Sequence, residues 1–408
     1  MPEAVIVATA RSPIGRAFKG SLTQIRPDDL TVQMIQAAMA KVPQLSLADV
    51  DDLMLGCGLP GGEQGFNMAR VVAVLLGADQ LPGTTITRYC SSSLQTTRMA
   101  MHAIRAGEGD VFISAGVETV SRFVAGNSDS LPDTMNPLFA DAQERSAGLD
   151  AAGITEWVDP RAAGNLPDVY LAMGQTAENV ALYANVSRED MDAFGVRSQN
   201  NAEKAIANGF FAREIAPVTM PDGSVVSTDD GPRAGVTLEA VSQLKPVFRP
   251  DGRITAGNCC PLNDGAAAVI VMSDTKAREL GITPLARVVA TGVTGLSPEI
   301  MGLGPIEASK QALARAGMSI SDMDLVEINE AFAAQVIPSA RELGIDPFGD
   351  TLNVHGGAIA VGHPFGMTGA RITATLINGL QSRDKQFGLE TMCVGGGQGM
   401  AMILERLS

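Results

Sequence analysis

A chain of 408 residues, 45% hydrophobic and 18% charged, is long enough for more than one hydrophobic core, so two or three domains are expected. Its net charge of −15 argues against nonspecific nucleic-acid binding and against attraction to an acidic membrane, since both require positive surface. Met1 to Ala10 lacks the basic start and cleavage pattern of a signal peptide, and the longest apolar runs, such as Ala266 to Met272, are too short to cross a bilayer. Five cysteines without a paired framework fit a reducing compartment, so a cytoplasmic protein with free thiols is expected.

From the N-terminus, the apolar spacing predicts a helix over Leu30 to Ala40, followed by Ser46, Asp49-Val50-Asp51 and the apolar Leu53-Met54-Leu55. Cys57 follows a glycine in a strand-to-loop segment and reads as core. In Arg88-Tyr89-Cys90-Ser91-Ser92-Ser93-Leu94-Gln95 a strand-like stretch gives way to an amphipathic helix. Leu94, Met101 and Ile104 share one face of it, Arg98 and Arg105 lie outside that face, and Gly107 closes the run. Cys90 at the helix N-terminus is expected to have a depressed pKa, because unpaired amides and the positive dipole end favour thiolate. An inert, packed cysteine is the alternative. A strand is expected from Val111 to Gly116.

From Ser121 to Val169 the chain is rich in Asp, Gly, Pro and Ser, with little periodicity, and it carries the only tryptophan, Trp157. A helix entered at Ser187-Arg188-Glu189-Asp190 follows, with Met191 and Phe194 inward and a stop at Asn208-Gly209. Residues 121–250 read as an insertion covering a site, or else as a flexible surface excursion. Adjacent Cys259-Cys260 does not have metal-ligand spacing, so no metal is expected. Further on, Ala308 to Ala316, Ser319, Asp322-Met323-Asp324 and Leu325-Val326 repeat the pattern of the first third, and Thr391 to Gly395 echoes Val111 to Gly116. Two similar α/β halves are expected, with mainly parallel sheets covered by helices and the strand-end loops around one shared site.

Four segments carry the chemistry: the Cys90 loop, Asn329-Glu330-Ala331-Phe332-Ala333, Asn353-Val354-His355-Gly356-Gly357 through Gly362-His363-Pro364, and Cys393-Val394-Gly395-Gly396-Gly397-Gln398-Gly399. In this order, with Ala10-Arg11-Ser12-Pro13-Ile14-Gly15, Met173-Gly174-Gln175-Thr176-Ala177-Glu178-Asn179 and Leu262-Asn263-Asp264-Gly265, the chain resembles the thiolases, acyl-CoA acyltransferases that make or break a carbon–carbon bond beside a thioester. The resemblance implies an α/β fold of two duplicated halves in five layers (αβαβα) with an inserted loop domain. The halves are expected at 1–120 plus 251–274 and at 275–408, and the CoA-binding loop domain at 121–250. It implies a homodimer or homotetramer with acyl-CoA and CoA as substrates, and no permanently bound cofactor.

By that resemblance Cys90 is acylated, His363 is the base that activates it, and Cys393 moves a proton at the substrate α-carbon or the CoA thiol. Asn329 holds a water that, with His363, stabilises the enolate, and the amides of Cys90 and Gly395 bind the oxyanion. Arg233 is implied near the CoA nucleotide, Cys260 beside the pantetheine arm, and Met173 and Met301 along the pocket. Each has a plainer reading. His363 would be a structural histidine, Cys393 inert packing, Asn329-Glu330 a helix N-cap, Arg233 a solvated surface residue, and His355 a packed one. Ala172 replaces a histidine common in the biosynthetic type, which implies a wider pocket for a longer or broader 3-ketoacyl group. A catalytically silent acyl or lipid carrier is the alternative from another class. A ketoacyl synthase would pair its cysteine with two basic residues, and a cysteine hydrolase would not need Cys393.

Overall fold

The computed structural model of the chain describes residues 2–125, 134–150 and 153–408. The first half contributes β1 (Ala4–Arg11), β2 (Gly15–Arg16), α1 (Pro27–Met39), β3 (Asp52–Cys57), α2 (Met68–Leu75), β4 (Gly83–Ile86), α3 (Ser92–Ala106) and β5 (Val111–Thr119). Next come α4 (Ala140–Ala147), α5 (Met173–Tyr183), α6 (Arg188–Ala207), β6 (Val218–Thr219), β7 (Val225–Val226) and α7 (Leu238–Ser242). They are followed by β8 (Asn263–Ser273), α8 (Asp274–Leu280), β9 (Ala286–Gly295), α9 (Gly304–Ala316) and β10 (Leu325–Ile328). The chain ends with α10 (Ala333–Glu342), α11 (Ala358–Val361), α12 (Thr368–Ser382), β11 (Phe387–Val394) and β12 (Gln398–Arg406).

The repeat seen in the sequence is a repeat in topology. In one half β3 runs parallel to β5, β5 antiparallel to β8, and β8 antiparallel to β1. In the other, β10 runs parallel to β11, β11 antiparallel to β12, and β12 antiparallel to β9. A parallel bridge from Val326 to Leu352 takes the place that β4 occupies beside β3. Even the entry turns match, since Ser46 with Asp49 and Ser319 with Asp322 each form a reciprocal cap. The two sheets join edge to edge through Val5–Arg287 and Ile6–Ala286.

The expectation of mainly parallel sheets is corrected here: most strand pairs are antiparallel. The reason is local. In the second half β11 turns straight back into β12 through Gly395-Gly396-Gly397, a hairpin too short for the crossover that parallel strands need. The first half has the same antiparallel step from β5 to β8, but the chain between those strands is expanded into the long segment carrying α4 to α7. Of the irregular stretch 121–169, positions 126–133 and 151–152 lie outside the described residues; the rest holds α4 and short 3-10 turns.

Alternation along the strands builds the layers. Leu53 and Leu55 face an outer core with Leu30, Met34 and Val72, whereas Met54 faces a central one. Met400, Met402 and Leu404 face the same centre, while Ala401 and Ile403 face the opposite outer core with Ala312 and Ile337. The central layer is filled by α3 and α12, through Leu94, Met101 and Ile104 on one and Ile372 and Leu376 on the other. Helices thus cover both outer faces and separate the sheets, giving the five expected layers.

The two central helices meet almost backbone to backbone. A Cβ on Gly369 would lie 2.2 Å from the Leu94 amide nitrogen, and Ser93 Oγ accepts from the Ala370 N–H at 2.9 Å. Alanine in place of glycine ordinarily favours a helix by about 1 kcal/mol. Here overpacking against backbone, which costs about 1–3 kcal/mol, decides the sign. Gly369→Ala is therefore expected to lower the denaturant midpoint of unfolding; an unchanged or raised midpoint would show that the helices can separate freely.

Candidate active site

Cys90 occupies the corner where β4 becomes α3. A short 3-10 turn, Tyr89–Ser91, precedes the helix, and Tyr89 adopts φ 42°, a left-handed conformation uncommon for a side chain of this size. The corner aims a buried thiol at the helix entrance. The expected depressed pKa is not found. The Cys90 thiol is pushed up to about 12, chiefly by burial, with Glu118 adding to the rise and the Gly395 and Cys90 amides, which favour thiolate, opposing it. Desolvation outweighs the helix terminus because the sulfur sits inside the protein rather than at its surface.

His363 is held from both ring nitrogens. Its Nδ1 lies 2.6 Å from Thr368 Oγ1, and that hydroxyl donates to the Pro364 carbonyl at 2.7 Å. The Thr368 oxygen can then only accept, so the proton belongs on Nδ1 and the Nε2 lone pair is left free to take one. Asn329 Nδ2 approaches that Nε2 at 3.3 Å. Burial and, secondarily, Arg371 lower the His363 pKa to about 3, which keeps the ring neutral. Asn329 is not a helix N-cap, because α10 begins four residues later behind Phe332. Its Oδ1 is buried with no hydrogen-bond partner among the described residues, an acceptor open to a water or a substrate group.

Cys393 ends β11 fully buried, and its thiol is pushed up first by burial and then by Cys90, which places the two sulfurs within electrostatic reach. The hairpin that follows needs glycine. Gly397 has φ 84°, and a Cβ there would fall 2.3 Å from the Leu296 carbonyl. That turn delivers the Gly395 amide to the Cys90 sulfur.

Glu118, buried at the end of β5, ties the loops together. It accepts from Gly58 N at 2.7 Å, Leu59 N at 3.2 Å, Gln64 Nε2 at 2.7 Å and Gly366 N at 2.9 Å. Burial raises its carboxyl and these four donors oppose that rise. Glu330 plays the same part for the other loop, accepting from Ser198, Asn353 and the Ile359 amide.

A cavity of about 400 Å³ opens onto Cys90, walled by Leu59, Tyr89, Leu171, Met173, Phe365 and Gly395 among others. Phe365 links it to His363, the two rings edge-on at 5.3 Å. A larger hollow of about 580 Å³, lined in part by Lys41, Arg213, Glu214 and Asn378, reaches none of the candidate catalytic residues, so the smaller cavity is the site. The segment between β5 and β8 is tied to the rest of the chain at two points. Fully buried Arg11 pairs with Glu214 at 2.8 Å and Asp229 at 2.7 Å. Glu299 accepts from Arg145, Trp157 Nε1 and the Asp168 amide, each at 2.9 Å.

Residues 4–275 match the thiolase N-terminal domain and residues 282–406 the thiolase C-terminal domain. The chain belongs to the thiolase family. It is 42% identical to a 3-ketoacyl-CoA thiolase of Bacillus subtilis, over 99% of this chain and 100% of that one. It is also 42% identical to a 3-oxoadipyl-CoA/3-oxo-5,6-dehydrosuberyl-CoA thiolase of Escherichia coli, over the full length of both. Among solved structures, human mitochondrial 3-ketoacyl-CoA thiolase in complex with CoA superposes with a TM-score of 0.84 at 34% identity, covering 100% of this chain and 98% of that one.

Within this thiolase, the structure brings Cys90, Gly395 and Cys393 together, and sets His363 with Asn329 behind Phe365. Met173 and Ala172 lie on the cavity wall. Met301 does not. The turn Pro298–Leu303 packs against α5, and Met301 is buried in the core with Ala177 and Ala181. Cys260 is partly buried, and its raised thiol is within electrostatic range of Cys90 and Cys393. Arg233 is exposed, its amide bound to Gln199, and it does not line the cavity. His355 stacks on Phe210 at 3.6 Å, and burial lowers its pKa to about 4, the packed role. Cys57 is core. Thr368, Glu118 and Glu299 were not anticipated. For Glu118 the signal was present, an acidic residue just past an apolar strand; the other two carry none.

Two outcomes follow. With Cys90 raised and His363 lowered, the resting pair is thiol and neutral imidazole, so site-resolved alkylation of Cys90 should climb about tenfold per pH unit from pH 7 to 10. A plateau below pH 8 would show a stable thiolate. Thr368→Val removes the acceptor that fixes the His363 tautomer and should lower kcat/KM by about tenfold; because the Nδ1 proton is then buried without a partner, it should also lower stability by about 1–3 kcal/mol, read as a lower unfolding midpoint.

Proposed function

We propose that this thiolase cleaves 3-ketoacyl-CoA with CoA to acetyl-CoA and a shortened acyl-CoA, and runs the reverse condensation, through an acyl group on Cys90. The observation that carries this reading is the Gly395 amide on the Cys90 sulfur, in a site that also holds a neutral histidine whose unprotonated Nε2 accepts from Asn329 Nδ2.

In the cleavage direction Cys90 gives its proton to His363 Nε2 as its sulfur attacks the 3-keto carbon. The amides of Cys90 and Gly395 hold the oxygen that becomes negative. The bond between carbons 2 and 3 then breaks, and the enolate of acetyl-CoA leaves, stabilised by His363 and a water on Asn329. Cys393 delivers the proton to carbon 2 and becomes a thiolate. It takes the thiol proton of incoming CoA, whose sulfur displaces Cys90 to release acyl-CoA, and the departing Cys90 sulfur recovers its proton from His363. A neutral resting pair suits this order, because charge is created only once substrate is in place.

Residues 121–250 serve as the cover and carry most of the CoA contacts, with Arg233 toward the nucleotide, and Cys260, just beyond that segment, lies near the pantetheine arm. Free cysteines and the acidic chain support a cytoplasmic enzyme, and a homodimer or homotetramer is part of the same reading.

Mass spectrometry after exposure to acetyl-CoA should show one acetyl group on the wild type and none on Cys90→Ala. Cys393→Ala should still be acetylated yet lose exchange of the α-proton of acetyl-CoA. Acetylation of Cys90→Ala at the wild-type rate would refute the nucleophile.

A further inference from the structure

From the cavity wall we infer that the acyl group carried on Cys90 is a neutral, apolar chain larger than acetyl, and that chains ending in a carboxylate are rejected. The inference rests on the thiolysis reading above. Similarity does not make this choice, since relatives at the same 42% identity are named for 3-ketoacyl-CoA and for 3-oxoadipyl-CoA.

Beyond Cys90 the wall is built by Leu59, Met135, Val169, Leu171, Met173 and Phe365, and the polar side chains that share it are hydroxyls of tyrosine and threonine. No lysine, arginine or histidine lines the cavity among the described residues. The cations nearest in the chain are engaged elsewhere. Arg88 donates to Gln95 at 3.1 Å and to Gln398 at 2.6 Å, Arg122 is paired with Glu63, and Arg145 is taken up by Glu299 and the Leu166 carbonyl. The carboxylate that does act on the site is Glu118, which already raises the Cys90 thiol.

A six-carbon chain ending in a carboxylate would therefore lose water against an apolar wall and meet no cation among the described residues that line it. An alkyl chain of the same length loses nothing and gains about fourfold in affinity for each methylene buried. The wall is fixed in advance of substrate, because Glu299 holds the Asp168 amide at the root of Val169 to Met173. Its exclusion is thus a property of the folded chain rather than of a rearranged one.

The test compares kcat/KM for CoA-dependent cleavage of 3-ketohexanoyl-CoA and 3-oxoadipyl-CoA, equal in chain length, with acetoacetyl-CoA as reference. The neutral six-carbon substrate should exceed its carboxylate counterpart by about a hundredfold or more and acetoacetyl-CoA by about tenfold. Equal or better cleavage of 3-oxoadipyl-CoA overturns the inference and leaves the thiolase reading standing. Failure to cleave any of the three, with no acyl group on Cys90, overturns both. Met135→Lys at the half-exposed lip supplies the missing cation and should raise the ratio of 3-oxoadipyl-CoA to 3-ketohexanoyl-CoA cleavage by about tenfold. An unchanged ratio in a folded variant would show that the chain does not lie on this wall.

Discussion

The contact between α3 and α12 at Gly369 is the constraint on which the rest of the site depends. One helix has Cys90 at its entrance, and the other begins with Thr368, which holds His363. With no side chain between them, the distance from Cys90 to His363 is set by backbone against backbone, which is stiffer than any packing of flexible side chains. Gly366 repeats the device one turn earlier, where a Cβ would fall 2.2 Å from the Val117 carbonyl, and its amide is caught by Glu118. Close packing thus does the positioning, and hydrogen bonds to buried carboxylates fix the loops that packing leaves free.

This arrangement explains why the electrostatics of the site run opposite to a simple helix-dipole argument. The same burial that gives precise distances removes the water that would stabilise a thiolate or an imidazolium. Cys90 is held as a thiol and His363 as a neutral ring, and the donors that favour charge, the amides of Gly395 and Cys90, wait on a charge that forms only during attack. A site of this kind is quiet at rest and selective in what it ionises.

Much of this was legible in the chain. Residues with strong local rules gave themselves away: Ser187 does cap α6, with its hydroxyl accepting from Asp190 N, and Gly107 does close α3 with φ 78°. The duplicated Ser–Asp turns revealed the repeat. What failed depended on long-range placement. Strand direction was misjudged because a three-glycine hairpin looks in sequence like any turn, and the thiol pKa because burial is a property of the fold. Met301 was drawn to the pocket by its motif, yet its turn faces the core. Thr368 acts across 5 residues and Glu299 across 131 to 154, with no periodic signature to announce either.

The inserted segment replaces a hairpin, and its two ends remain where that hairpin began and ended. Thr119 and Asp264 sit opposite each other on neighbouring strands, so entry and exit are one strand spacing apart. A stretch attached in this way can be lengthened, shortened or exchanged between relatives without stretching the frame that holds Cys90 and His363. The strand pairing therefore leaves the length of that stretch uncoupled from the geometry of the frame.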